Sequence, residues 1–247
     1  MRTVKFAAET PRRASRASWR TLVGAMIALV SLCFSLPATA ADAERDVNPG
    51  VVRPDDKVAG KSYSHWAGAW WAWAVQYPLA TNPIVDPTGA FNQQGQSGPV
   101  FFLAGNFGGT SVRSVTIPPG KHVFLPLYNF LWWTPEDAAT LEGIRAIAVN
   151  SVKDATLLEA TLDGVRVIDP FAYRASSGPG GFAILFLPNS LGTDFGYAPG
   201  VRDPAISDGY WLMLKPLRPG KHTLNIKAQS ATGFDQDVTY HITVVKP

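Results

Sequence analysis

The chain has 247 residues, 22 Lys+Arg against 19 Asp+Glu for a formal net charge of +3, and a single cysteine. Six of the basic residues (Arg2, Lys5, Arg12, Arg13, Arg16, Arg20) and one acid, Glu9, precede residue 41, which leaves 16 basic and 18 acidic residues beyond it, a charge near −2. No basic stripe is left there to neutralise phosphates, which argues against nucleic acid as a partner.

The first forty residues read as a secretory signal peptide. Arg12, Arg13, Arg16 and Arg20 form a basic region, an apolar run covers Leu22 to Leu36, and Pro37-Ala38-Thr39-Ala40 supplies small residues for cleavage. Cleavage is expected after Ala40, giving a secreted or periplasmic protein. The apolar run is near the lower limit for crossing a bilayer, so no stable membrane span is expected after cleavage. Cys33 lies in that run, and Leu32 before it is not the small residue that lipid attachment requires. The mature chain would then have no cysteine for disulfides, zinc or nucleophilic attack. Its remaining 207 or so residues suit one domain.

Residues 41–59 are polar and expected to form a flexible, extended or poorly ordered segment ahead of a domain over 60–247. A helix is expected over 62–77, where Trp66, Trp70, Trp73 and Tyr77 share one face. Ser62 or Ser64 can cap it and Pro78 stops it. Its tryptophans are expected to pack on a sheet, with Trp71 pointing elsewhere. A membrane-surface helix would need basic residues on its polar face, and only Lys61 is near. Turn signals fill 81–98. Strands follow at 99–104, 111–117 and 121–128, the last with Pro126 marking an edge or a bulge.

Thr134-Pro135-Glu136-Asp137 reads as a helix start, with a cap, a first-turn proline and two acids at the positive end of the dipole. A helix over 135–149, extending toward Val152, would present Leu141, Ile144, Ala148 and Val152 on one face. Strands at 157–162 and 165–168 flank Asp163-Gly164, a two-residue hairpin signal. Short strands are expected at 172–175 and 182–187, then a long polar loop over 189–207. Strands at 209–214, 222–228 and 238–245 complete the chain. The pattern is mainly β: an immunoglobulin-like or jelly-roll-like sandwich with an aromatic N-terminal helix and one inserted helix. Pro119-Gly120-Lys121-His122 and Pro219-Gly220-Lys221-His222 repeat one turn, each opening a strand.

The pieces WAGAWWAWAVQYP, GQSGPVFFLAGNFGG, IPPGKHVFLPLYN, ATLDGVRV and DGYWLMLKPLRPGKHTLNI resemble an uncharacterised family of exported bacterial proteins, across about residues 60 to 245. The resemblance implies a common fold and brings no activity, cofactor or catalytic residue. The segment from PGKHTLNI to DVTYHITVV also resembles the last hairpin of immunoglobulin-like sandwiches, which carries no function.

Motifs for catalysis are absent. The histidines His65, His122, His222 and His241 form no HExxH or HxH pair, and no metal or other cofactor is expected. Gly95-Gln96-Ser97-Gly98 lacks the second glycine of a nucleophile elbow, because Pro99 occupies that place. Gly105-Asn106-Phe107-Gly108-Gly109 lacks the Gly-Lys-Ser/Thr of a phosphate loop and precedes a strand. Asp194, Asp203 and Asp208 match no calcium loop. Tyr128, Asn129, Trp132 and Trp133 are the candidate ligand-binding residues, since aromatic rings and an amide can line a sugar cleft. The leading expectation is an exported noncatalytic binding or structural protein of the cell envelope, its partner a glycan or another envelope component. The alternative is an extracytoplasmic carbohydrate-active hydrolase using Glu136 or Asp137. The simpler role for those acids is at the helix start.

Overall fold

The computed structural model describes residue 48 and residues 50–246. The expected signal peptide, Cys33 and the expected cleavage site lie outside the described residues. In chain order the elements are α1 (Tyr63–Ala74), β1 (Val100–Phe102), β2 (Gly109–Ile117), β3 (His122–Trp133), α2 (Leu141–Ser151), β4 (Ala155–Leu162), β5 (Val165–Arg166), β6 (Arg174–Ser176), β7 (Phe182–Phe186), α3 (Leu191–Asp194), β8 (Gly200–Leu214), β9 (Gly220–Ser230) and β10 (Asp235–Val244).

The strands form two five-stranded sheets that pack as a sandwich, one ordered β1-β3-β8-β6 with β7 also on β8, the other β2-β10-β9-β4-β5. This order resembles the immunoglobulin arrangement, with β1-β3-β8-β6 in the place of A-B-E-D and β10-β9-β4 in that of G-F-C. The parallel β1–β3 pair departs from the antiparallel sheet of that fold. On β10 the burial alternates cleanly, with Val238, Tyr240, Ile242 and Val244 inward, as a strand with one solvated face should. β8 is different: it is buried almost without interruption from Ala205 to Leu214. Both of its faces are covered: Ala205, on one, packs in a cluster with Trp71 of α1, and Ile206, on the other, packs with Ile144 and Ala148 of α2.

The tryptophan face of α1 explains that covering. Ser62 caps the helix by accepting from the His65 N–H. Trp70 and Trp73 are buried, whereas Trp66 and Tyr77 are half-buried at the ends of the face. The Trp70 ring meets Trp211 of β8 edge-on at 5.6 Å, and Trp211 in turn stacks on Phe124 at 5.2 Å. The indole N–H of Trp70 donates to the Leu103 carbonyl at 2.8 Å. Among the described residues no helix is long and apolar enough to cross a membrane.

Three expectations need revision. Thr134-Pro135-Glu136-Asp137 is a turn, not a helix start. β3 runs on through Trp132 and Trp133, which pair with Ile206 and Ala205. The turn then closes when the Asp137 carboxylate accepts from the Trp133 N–H at 2.8 Å. The helix begins at Leu141, capped by Thr140, whose hydroxyl accepts from the Gly143 N–H at 3.1 Å. Its apolar face is nonetheless the expected one, with Ile144, Ala148 and Val152 buried. Next, the stretch 189–207 is not one long loop. It holds the short α3 and the first half of β8, where Arg202 pairs with Glu136 at 2.6 Å; just beyond the stretch, Asp208 pairs with Arg174 at 3.0 Å. Finally, residues 50–59 pack rather than hang free: Val51 bridges Leu214, and the Val52 N–H donates to the Met213 carbonyl at 2.7 Å.

The hairpin between β4 and β5 is as expected, with φ of 51° at Asp163 and 81° at Gly164. Positive φ at both positions is the mark of a type I′ turn. β5 is shorter than expected and ends at Arg166. The two Pro-Gly-Lys-His turns lie at one end of the sandwich, since Ile117, Val244 and Gly220 align across three strands. They build no common centre: His222 is taken by Asp163 at 2.6 Å and the Arg218 carbonyl at 2.8 Å. Among the described residues no group of three or more His, Cys, Asp or Glu could hold a metal ion.

Candidate functional site

The site is built by the way β3 loses its neighbour. β1 pairs only with residues 122–124 of β3. The Leu103 N–H still donates to the Phe124 carbonyl, and then the chain turns away through Gly105 and Asn106. Gln236 holds the fork. Its Oε1 accepts from the Asn106 N–H at 2.8 Å, and its Nε2 donates to the Leu127 carbonyl at 3.0 Å. A Cβ on Gly105 would stand 2.5 Å from that Oε1, so a larger residue there would push Gln236 off the fork. Pro126 sits beside the bulge that follows, where the register shifts before Tyr128. It is therefore at a bulge, and beyond the end of β1, where a missing N–H does no harm.

Beyond the fork lies a cleft of about 340 Å³, lined by all of residues 126–133. Side chains along a strand alternate between its faces. Eight consecutive lining residues mean that the cleft runs along the edge of β3. Trp70 and Trp71 of α1, with Val75 just after it, form one wall, and Phe186, Leu191 and Tyr197 contribute to another. Phe107 and Phe195 also line it while remaining 52% and 55% exposed, which places them at the mouth. Their rings meet edge-on at 6.1 Å.

All four candidate binding residues, Tyr128, Asn129, Trp132 and Trp133, line this cleft. Neither Glu136 nor Asp137 does, and no Asp, Glu, Lys, Arg or His is among its lining residues. The Glu136 carboxylate accepts from Arg202 at 2.6 Å, and Arg202 lies over the Phe186 ring at 5.2 Å. Asp137 closes the turn on Trp133. Burial raises its pKa above the ordinary carboxylate value, the Trp133 N–H opposes that, and the charge of Glu136 adds to it. The Tyr128 hydroxyl donates to Asp154 at 2.9 Å. Its pKa is pushed up to about 12 by burial first and then by that carboxylate.

The cleft also collects unpaired polar atoms. The indole nitrogens of Trp71, Trp132 and Trp133 and the Oδ1 of Asn129 are buried with no hydrogen-bond partner. Leaving such a group unmet costs about 1–3 kcal/mol each. They are three donors and one acceptor, all on residues that line one cleft. The larger hollow of about 590 Å³ on the outer face of β2, β10 and β9 has no such atoms among its lining residues.

The cue missed in the sequence was Trp71. Off the main face of α1, it reads as a stray aromatic, yet it lines the cleft beside Trp70. Phe107, Phe195 and Gln236 belong to loops or strands with no local signal for a site. Comparison with protein families, curated proteins and solved structures finds no match for this chain.

Proposed function

We propose that the mature protein is an exported, noncatalytic binding protein of the cell envelope, with the cleft along β3 as its binding site. The carrying observation is the group of four buried, unpartnered polar atoms on residues that line an otherwise apolar cleft. Such atoms are rare in folded proteins and call for a ligand or water. A mostly apolar cleft with a few polar groups is the common form of a small binding site, and its size falls in the usual range of about 300–1,000 Å³. The lack of any carboxylate or histidine on its walls favours binding over hydrolysis. It also disfavours a free glycan, whose many hydroxyls would be left unmet. Export rests on the basic, apolar and small-residue order of the first forty residues and on the family resemblance.

N-phenyl-1-naphthylamine, an uncharged apolar fluorophore, tests the cleft directly. We expect saturable one-site fluorescence enhancement with the mature protein, weakened at least tenfold by Trp132→Ala. A linear, unsaturable response, or full binding by that variant, would refute the site. Mass spectrometry of the exported protein is expected to give an N-terminus at or within a few residues of Ala41.

A further inference from the structure

We infer that the cleft takes an extended, uncharged segment of polypeptide, added as a short strand to the free edge of β3. This rests on the binding reading above and names its ligand.

The direction of the backbone groups carries the inference. Across the antiparallel β3–β8 pair, Leu131 faces Ser207. The backbone N–H and C=O of Ser207 both point away from β3: the N–H donates to the Ser177 hydroxyl, and the C=O accepts from the Ser177 N–H. Leu131 and Ser207 are therefore a non-hydrogen-bonded pair. The N–H and C=O of Leu131 must then point the other way, to the edge where β1 has left. Alternation gives Asn129 and Trp133 the same direction. Trp133 confirms it, since both of its backbone groups are met by Asp137 from that side. Gly209 confirms it as well: it pairs with Asn129 so closely that a Cβ would stand 2.7 Å from the Asn129 Cα. Narrow spacing of that kind marks the non-hydrogen-bonded pairs.

The open edge thus has a defined length. Gln236 closes it at Leu127 and Asp137 closes it at Trp133. Between them, among the described residues, the backbone N–H and C=O groups of Asn129 and Leu131 meet no hydrogen-bond partner. The stretch spans about 20 Å at ~3.3 Å per residue. Proteins usually block such edges. Here side chains block both ends and leave the middle open, in the same cleft where three indole N–H groups and the Asn129 Oδ1 are unpaired.

An extended peptide is the ligand that answers this pattern. Every residue brings one N–H and one C=O, and strand addition uses main-chain hydrogen bonds for affinity and alternate side chains for selectivity. A hydrocarbon would leave these donors and acceptors unmet. No charged residue lines the cleft, so a charged side chain or terminus would be buried without a partner. The segment is therefore internal or capped, and its side chains are apolar, to suit the aromatic walls and the Phe107–Phe195 mouth.

The probe is acetyl-Val-Leu-Val-Leu-amide, titrated into the mature protein by calorimetry beside four versions, each N-methylated at one residue. Strand addition predicts alternation. Methyl groups on the two residues facing β3 should weaken binding about tenfold or more, through a lost hydrogen bond and an unpaired carbonyl. Methyl groups on the other two should leave it unchanged. Leu131→Pro, which removes an N–H that β8 does not use, should weaken the peptide by a clearly larger factor than it weakens N-phenyl-1-naphthylamine, and equal losses for the two probes would count against strand addition. Equal affinity across all four methylated peptides would overturn strand addition. So would tighter binding of a version carrying Glu or Lys, or no peptide binding at all. If the fluorophore still saturates in those cases, the binding reading stands and only the ligand class falls. If neither the fluorophore nor any peptide saturates, both fall.

Discussion

Replacing Trp70 with alanine would remove the side chain that joins α1 to the sheet. Trp70 is 1% exposed, and its ring meets Trp71 at 5.0 Å, Trp73 at 5.9 Å and Trp211 at 5.6 Å, all edge-on. Truncating a buried aromatic of this size costs about 3–5 kcal/mol. The Leu103 carbonyl, deep in the core, would also lose its indole donor, adding about 1 kcal/mol or more. A total of about 4–6 kcal/mol follows, against about 5–15 kcal/mol for the stability of a typical domain. Trp70→Phe keeps much of the ring and loses the N–H, so a smaller loss of about 1–3 kcal/mol is expected. Urea unfolding followed by far-ultraviolet circular dichroism gives both values, provided the slope is unchanged. A Trp70→Ala midpoint within 1 kcal/mol of the parent would refute the core role. If that variant also lost binding to lipid vesicles, α1 would be a membrane-surface helix.

Three further outcomes follow from the structure. Gly164→Val should cost at least about 1 kcal/mol through its positive φ alone, since a Cβ there meets nothing within 4 Å; Gly164→Ala should cost less, and equal thermal midpoints would refute the type I′ assignment. Arg113 is fully buried and gives its hydrogen bonds to the carbonyls of Ile84, Asp86, Ala104 and Gly105 and to the Tyr240 hydroxyl. Arg113→Met should cost about 3–5 kcal/mol in urea unfolding, and a neutral result would refute its bracing role. Burial opposes the charge of His222, but Asp163 and the Arg218 carbonyl outweigh it and raise its pKa above 6.5. Its stabilisation is full below the unfolded value and lost as pH rises through the raised folded one, so His222→Gln should flatten the thermal midpoint against pH from about 6.5 upward; an unchanged profile would refute the coupling.

The parts of the fold legible in the sequence are those decided by local chemistry. Asp163-Gly164 needs positive φ twice, and few residue pairs tolerate that. The face of α1 and the alternation of β10 are periodic signals that tertiary packing reinforced. Failures arose where polar residues found partners far along the chain. Arg202 and Asp203, with Asp208 just beyond, make 189–207 look like solvated loop, but Arg202 meets Glu136 and Asp208 meets Arg174. Thr134 to Asp137 has the composition of a helix start, yet the carboxylate of Asp137 caps the last N–H of a strand rather than the first turn of a helix. Arg113 sits on the inward side of β2, where alternation predicts an apolar residue.

The candidate site divides in the same way. Tyr128, Asn129, Trp132 and Trp133 were readable because aromatic rings beside an amide are costly to leave unburied and hard to satisfy in a plain core. Glu136 and Asp137 were attached to them by closeness in sequence. The strand ends at Trp133, and the turn that follows spends both acids on its own closure and on Arg202. The open edge of β3 could not be read from the residues at all. It depends on where β1 departs, on the bulge after Pro126, and on which backbone groups β8 has already used. These are relations between strands, and any residue with a backbone can enter them. The side chains at this edge report what lines the cleft, but the register decides what it can bind.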